Sequence, residues 1–143
     1  MAKVSVKLIG ADETARRLGL LDIRGRQRFK EILQEHTLAI QRGARQRCPV
    51  NKLKGLGGRL RGSINPTFFN NGFTGEVGTN VEYAPFVEFG TGRRGAASPH
   101  PPLPASYVHG PRAGMPAQPY LFPAFEEQKP KFIAALAEVP GAL

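Results

Sequence analysis

Apolar and polar positions alternate at the start of the chain: Val4, Val6 and Leu8 against Lys3, Ser5 and Lys7. Period two predicts a half-buried strand. Gly10 ends it, and Asp12 is placed to cap a short helix running to about Leu20. The period then changes. Phe29, Ile32, Leu33, His36, Ala39, Ile40, Gly43 and Ala44 recur at steps of three and four, which predicts a helix over 23–47 with Asp22 as its cap. Gly43 suits a close approach by a strand, and Pro49 stops the helix. A strand is predicted from about Leu60 to Asn70, with Pro66 marking an edge or a bulge. Asn70-Asn71-Gly72 is a hairpin turn and Phe73 to Gly78 the return strand.

Residues 83–92 read Tyr-Ala-Pro-Phe-Val-Glu-Phe-Gly-Thr-Gly. Pro85 near its start favours a short helix over a strand. Residues 90–119 contain 7 Pro and 5 Gly and show no core periodicity. They predict a long Pro/Gly-rich arm that reaches away from the body. A last helix opens near Pro123 at its first position, with Phe125, Phe132, Ile133 and Leu136 inward and Pro130 as a kink. Together these elements predict one α+β domain over 1–143. A small antiparallel sheet packs on one long helix, and a C-terminal helix completes the core.

Charge changes this picture in one place. Residues 1–65 hold 15 Lys+Arg against 5 Asp+Glu, and residues 66–143 hold 5 against 6. The excess collects in the glycine-rich basic loop 49–62 and the helix end before it: Arg42, Arg45, Arg47, Lys52, Lys54, Arg59 and Arg61. These seven cations, with no acid between 42 and 61, predict a face for DNA or an acidic partner. No apolar run approaches the ~20 residues that a membrane span requires. The first ten residues lack a signal-peptide core, so a non-secreted chain with no membrane partner is expected. The single Cys48 excludes an internal disulfide.

Candidate chemistry is sparse. His36, His100 and His109 stand far apart in sequence and no second Cys supplies a thiolate pair, so no metal site is expected. His36 reads as a satisfied helix histidine, and His100 and His109 as solvated loop residues. Cys48 lacks an evident base and reads as a packing residue. The Gly55–Arg61 stretch lacks the Gly-Lys-Ser/Thr of a nucleotide loop. Glu88, alone among apolar neighbours, reads as a structural carboxylate held by an arginine or by backbone amides. No enzymatic activity and no cofactor are expected.

Several pieces occur together in order. They are the opening strand with Ile9-Gly10, the long helix ending at Cys48-Pro49, and Gly58-Arg59-Leu60-Arg61-Gly62-Ser63-Ile64. Val77-Gly78-Thr79-Asn80, the Tyr83–Thr91 run and Gln118-Pro119-Tyr120-Leu121-Phe122-Pro123-Ala124 follow. This order resembles the gene-product-ten-like family of tailed double-stranded DNA phages, small neck, tail-completion or head–tail joining proteins. The family's Pro-x-Asp-Thr-Gly-x-Leu-Arg pattern is altered here by Asn51 and by added residues before Gly58.

The resemblance implies a structural virion protein at the head–tail junction, assembled in the host bacterial cytoplasm. It would form a homo-oligomeric ring that joins the portal-connector complex to the tail and leaves a channel for DNA. Its partners would be copies of itself, the adjacent connector or head-completion protein, and the tail terminator or tail tube. A tail terminator ring is the sister reading, and a basic nucleic-acid-binding module is the rival from another class. The expected subunit contacts are Tyr83, Phe86, Val87 and Phe89 at the base of the arm. Arg93, Arg94 and Tyr107 on the arm, with Tyr120 and Phe122 beyond it, complete that set.

Overall fold

A computed structural model describes residues 4–9, 22–50 and 58–139. The fold is α+β. Strand β1 (Val4–Ile9) is followed by helix α1 (Ile23–Arg47), a short helix α2 (Arg59–Ser63), and strands β2 (Asn65–Phe69) and β3 (Thr74–Thr79). Helices α3 (Ala84–Phe89), α4 (Gly92–Ala97) and α5 (Leu121–Ala137) complete the order. The expected helix from Asp12 to Leu20 and the basic tip at Lys52 and Lys54 lie outside the described residues.

The sheet is antiparallel with β3 in the middle, in the order β1-β3-β2. Val6 stands opposite Val77 and Lys7 opposite Glu76, where Lys7 Nζ meets the buried Glu76 carboxylate at 3.1 Å. Pro66 falls on β2, an edge strand, where its missing N–H interrupts no ladder on the free side. The β2–β3 turn runs through Asn70 (φ 52), Asn71 (φ 54) and Gly72 (φ 87), residue types that tolerate the left-handed region. The predicted strand from Leu60 starts too early: Arg59–Ser63 is helical and Leu60 points into the core.

Helix α1 begins as read, with the Asp22 carboxylate accepting from the Gly25 amide at 2.7 Å. Phe29, Ile32, Leu33, Ile40 and Ala44 enter the core, and so does Thr37, whose hydroxyl donates to the Leu33 carbonyl at 2.6 Å. Thr37 rests directly on Gly75 of β3, where any Cβ would collide with it. That contact sets how closely helix and sheet approach.

Gly43 has a different neighbour from the one expected. A Cβ there would stand 3.3 Å from Ala124 Cβ, so it admits helix α5 and not a strand. His36 also faces α5: its Nδ1 lies 3.2 Å from Gln128 Oε1, and its ring meets Phe132 edge-on at 5.6 Å. Helix α5 starts at Leu121, which puts Pro123 at the third position and not the first. The helix continues through Pro130, with Leu121, Ala124, Phe132 and Leu136 buried. Ile133, expected inside, is exposed.

A candidate assembly surface

Three features shape the segment after β3. The Val81 amide donates to Thr79 Oγ1 at 3.1 Å and turns the chain into α3. Pro85 sits in the first turn of α3, where no intrahelical donor is needed. Gly90 ends the helix at φ 72, and a Cβ there would meet Ala117 N and Gly95 Cα at 2.6 Å. Glycine is required at that corner.

Glu88 points inward from α3 and is 1% exposed. Its Oε2 accepts the amides of Tyr120 at 2.9 Å and Leu121 at 3.0 Å, and its Oε1 accepts that of Phe122 at 2.8 Å. Those are the unsatisfied donors at the start of α5, and the next residue, Pro123, has none. The carboxylate also complements the positive end of the helix dipole. Glu88 is therefore a structural group held by backbone amides, as its setting suggested.

Two groups beside it are equally enclosed. The Cys48 thiol is pushed up from its ordinary value of 9.0 to about 11: burial raises it, Arg61 pulls it down and Glu88 pushes it up again. Tyr120 is 0% exposed, and among the described residues its buried hydroxyl has no hydrogen-bond partner. Burial raises the pKa of that phenol, and Glu88, Cys48 and Tyr83 add to the rise.

The segment after α3 does not extend away as expected. Thr91 and Met115 exchange backbone hydrogen bonds at 2.9 and 3.1 Å. The Arg93 amide donates to the Arg112 carbonyl at 2.8 Å, and the Arg94 amide to the Ala113 carbonyl at 2.9 Å. The Gln118 amide returns to the Val87 carbonyl at 2.8 Å. The two limbs thus lie side by side and close a lobe on α3, with α4 inside it.

Aromatic rings fill the base of the lobe. The Tyr107 hydroxyl donates to the Gly90 carbonyl, and its ring lies 5.1 Å from Phe89 and 6.3 Å from Phe86. Burial raises the Tyr107 pKa. The His109 ring meets Tyr107 edge-on at 5.5 Å, and its Nε2 donates to the Phe89 carbonyl at 2.8 Å. His100 lies 5.0 Å from His109. Both histidines are partly buried and bonded to carbonyls, which corrects their reading as solvated residues.

The expected contact residues therefore divide. Phe86 is 46% exposed, Tyr83, Arg93 and Arg94 are exposed, and Val87, Tyr107 and Phe122 are half-buried. Tyr120 and Phe89 are buried in the fold itself and are corrected as surface contacts. Sequence reasoning missed Val108, 83% exposed beside Tyr107. It also missed Phe68 and Phe69 of β2, both exposed. Phe69 pairs with Thr74, so these two rings sit at one end of β3, while α3 follows the other end.

The basic set divides too. Arg45 donates to the Ile64 carbonyl at 3.1 Å and to Asn65 Oδ1 at 3.2 Å. Arg61 donates to the Cys48 carbonyl at 3.1 Å. Arg47 pairs with Glu127, and that hydrogen bond, helped by Lys131, lowers the Glu127 pKa. Each of these three cations, expected to face DNA or an acidic partner, also makes a bond within the fold. Arg42 and Arg59 are exposed and make no side-chain bond among the described residues. No family model, no curated protein and no solved structure matches this chain.

Proposed function

We propose that this chain is a structural subunit of the head–tail joint of a tailed double-stranded DNA phage. Copies close into a ring by head-to-tail contact and leave a central passage for DNA. The observation that carries the reading is the pair of separate apolar patches. One comprises the exposed Tyr83, Phe86 and Val108 on α3 and the lobe; the other is the exposed Phe69 of β2, an edge strand among the described residues, whose neighbour Phe68 is exposed on the opposite face of the sheet. A head-to-tail ring needs two different surfaces on every subunit, whereas a two-fold dimer needs one self-complementary surface. An exposed edge strand with large apolar side chains also invites a neighbour.

The occupied state of the polar groups supports a mechanical role. Glu88 and Cys48, on which a hydrolytic reading would rest, are an amide-saturated carboxylate and a buried thiol whose pKa is raised to about 11. Ring neighbours take the place of solvent on the two patches, and the lobe stands at one of them. Mass measurement and electron microscopy of the purified chain test this reading. Closed rings with a central hole are expected. A species that stays monomeric at every concentration, with no rings in the images, contradicts it.

A further inference from the structure

The lobe contains no carboxylate. Between Glu88 and Glu126 the only formally charged side chains are Arg93, Arg94 and Arg112. The fold gathers all three in one place. The amide of Arg93 bonds to the carbonyl of Arg112, and that of Arg94 to the carbonyl of Ala113, so residues far apart in sequence share one corner. Two glycines make this corner possible. Gly92 (φ +60) and Gly114 (φ +65) both take left-handed backbone, and a Cβ on either would strike the opposite limb, at the Arg112 or the Thr91 carbonyl. All three arginines are exposed, and none makes a side-chain bond among the described residues.

We infer that the Arg93–Arg94–Arg112 corner is a contact for the phosphate backbone of DNA. It deepens the ring reading by naming the face that meets DNA, and its test uses the isolated chain so that either idea fails on its own. The chemistry stands on three points. Arginine forks bind phosphate bidentately and keep their charge at all working pH. No carboxylate within the lobe competes for them. Phosphates recur about every 1.7 Å along a duplex, so three forks find partners without a matched surface. An acidic protein face would have to match the corner in shape as well as charge. The His100–His109 pair lies in the same acid-free lobe, a poor setting for a metal cation beside three fixed positive charges.

The test is binding of the purified chain to a fluorescent DNA duplex across a salt series. Replacing all three arginines (Arg93→Gln, Arg94→Gln and Arg112→Gln) is expected to lower the slope of log affinity against log salt by about 2 to 3. Each single replacement is expected to lower it by about 1. The pair Arg42→Gln and Arg59→Gln is the comparison at the basic loop. Because the side chains are exposed, unchanged circular dichroism is expected throughout. A triple variant that binds with unchanged slope overturns the inference, and so does a loss confined to the Arg42/Arg59 pair. Tighter binding of poly-glutamate than of duplex at equal salt also overturns it, since the corner would then serve an acidic polypeptide.

Discussion

Glu88 shows how a single side chain ties distant segments together. It lies 32 to 34 residues before the amides it accepts, so it fixes both the direction of α5 and the closure of the lobe between them. Glu88→Ala leaves three donors without a partner, two of them fully buried. Each such loss costs about 1–3 kcal/mol, so a total of at least about 3 kcal/mol is expected in urea unfolding. Glu88→Gln keeps a carbonyl acceptor but aims an NH2 at backbone donors and removes the charge that suits the helix end. It is expected to fall between wild type and Glu88→Ala. Near-neutral behaviour of Glu88→Ala would contradict the role assigned to it.

Cys48 makes stability depend on alkaline pH. Its folded pKa of about 11 lies above the ordinary 9.0. Below pH 9 the thiol is protonated in both states and its contribution is complete. Between about 9 and 11 the unfolded chain loses the proton first, so stability falls as pH rises. Unfolding measured from pH 8 to 11 should fall less steeply in Cys48→Ala than in wild type. Tyr120 adds a loss of the same sign above its ordinary 10 in both proteins, and the loss is smaller in Cys48→Ala because Cys48 is one of the groups that raise it. Equal slopes in the two proteins would contradict the burial of the thiol.

At the level of elements, much was legible because the signals are local. The Val4–Leu8 alternation, the Asp22 cap, the Asn-Asn-Gly turn and the Pro85 helix start each depend on a few neighbouring residues. Pro66 also marked its strand as an edge. What was illegible depends on contacts made at a distance. Gly43 meets Ala124 of α5, and nothing near Gly43 in sequence indicates whether a helix or a strand will arrive there. The run Arg59–Ser63 is too short for periodicity to separate helix from strand. The lobe was the largest surprise. Its proline content suggested extension, but positive-φ glycines at 92 and 114 let its limbs pair. The sequence of 89–125 holds three arginines and no acid, but nothing in it indicates that Arg93 and Arg112 are brought together.

The lobe supports a prediction of its own. Thr91 and Met115 are bonded in both directions, so the ends of the excised piece are already adjacent. Replacing residues 93–113 by a short Gly-Ser linker is expected to preserve the fold and the Glu88 cap, read as a cooperative unfolding transition. The same deletion removes Tyr107, Val108 and the three arginines, and is expected to abolish both ring formation and the DNA contact. Loss of cooperative unfolding would show that the lobe is part of the core. Normal rings after the excision would show that its surface takes no part in assembly.

For the whole molecule, the proposed head-to-tail assembly joins the α3–lobe surface of one subunit to the β2 surface of the next. In that proposal, closure hides both surfaces on every subunit and by itself encloses the passage. The most direct measurement is a mixing experiment with two blocked subunits, Phe86→Asp at the lobe base and Phe69→Asp on the β2 edge. Both side chains are exposed, so both variants should fold. Each alone is expected to remain monomeric by light scattering. Mixed in equal amounts, they should form a one-to-one heterodimer and nothing larger, because one intact patch of each remains to meet the other. Two variants that both still form rings, or a mixture that stays wholly monomeric, would contradict head-to-tail assembly through these surfaces.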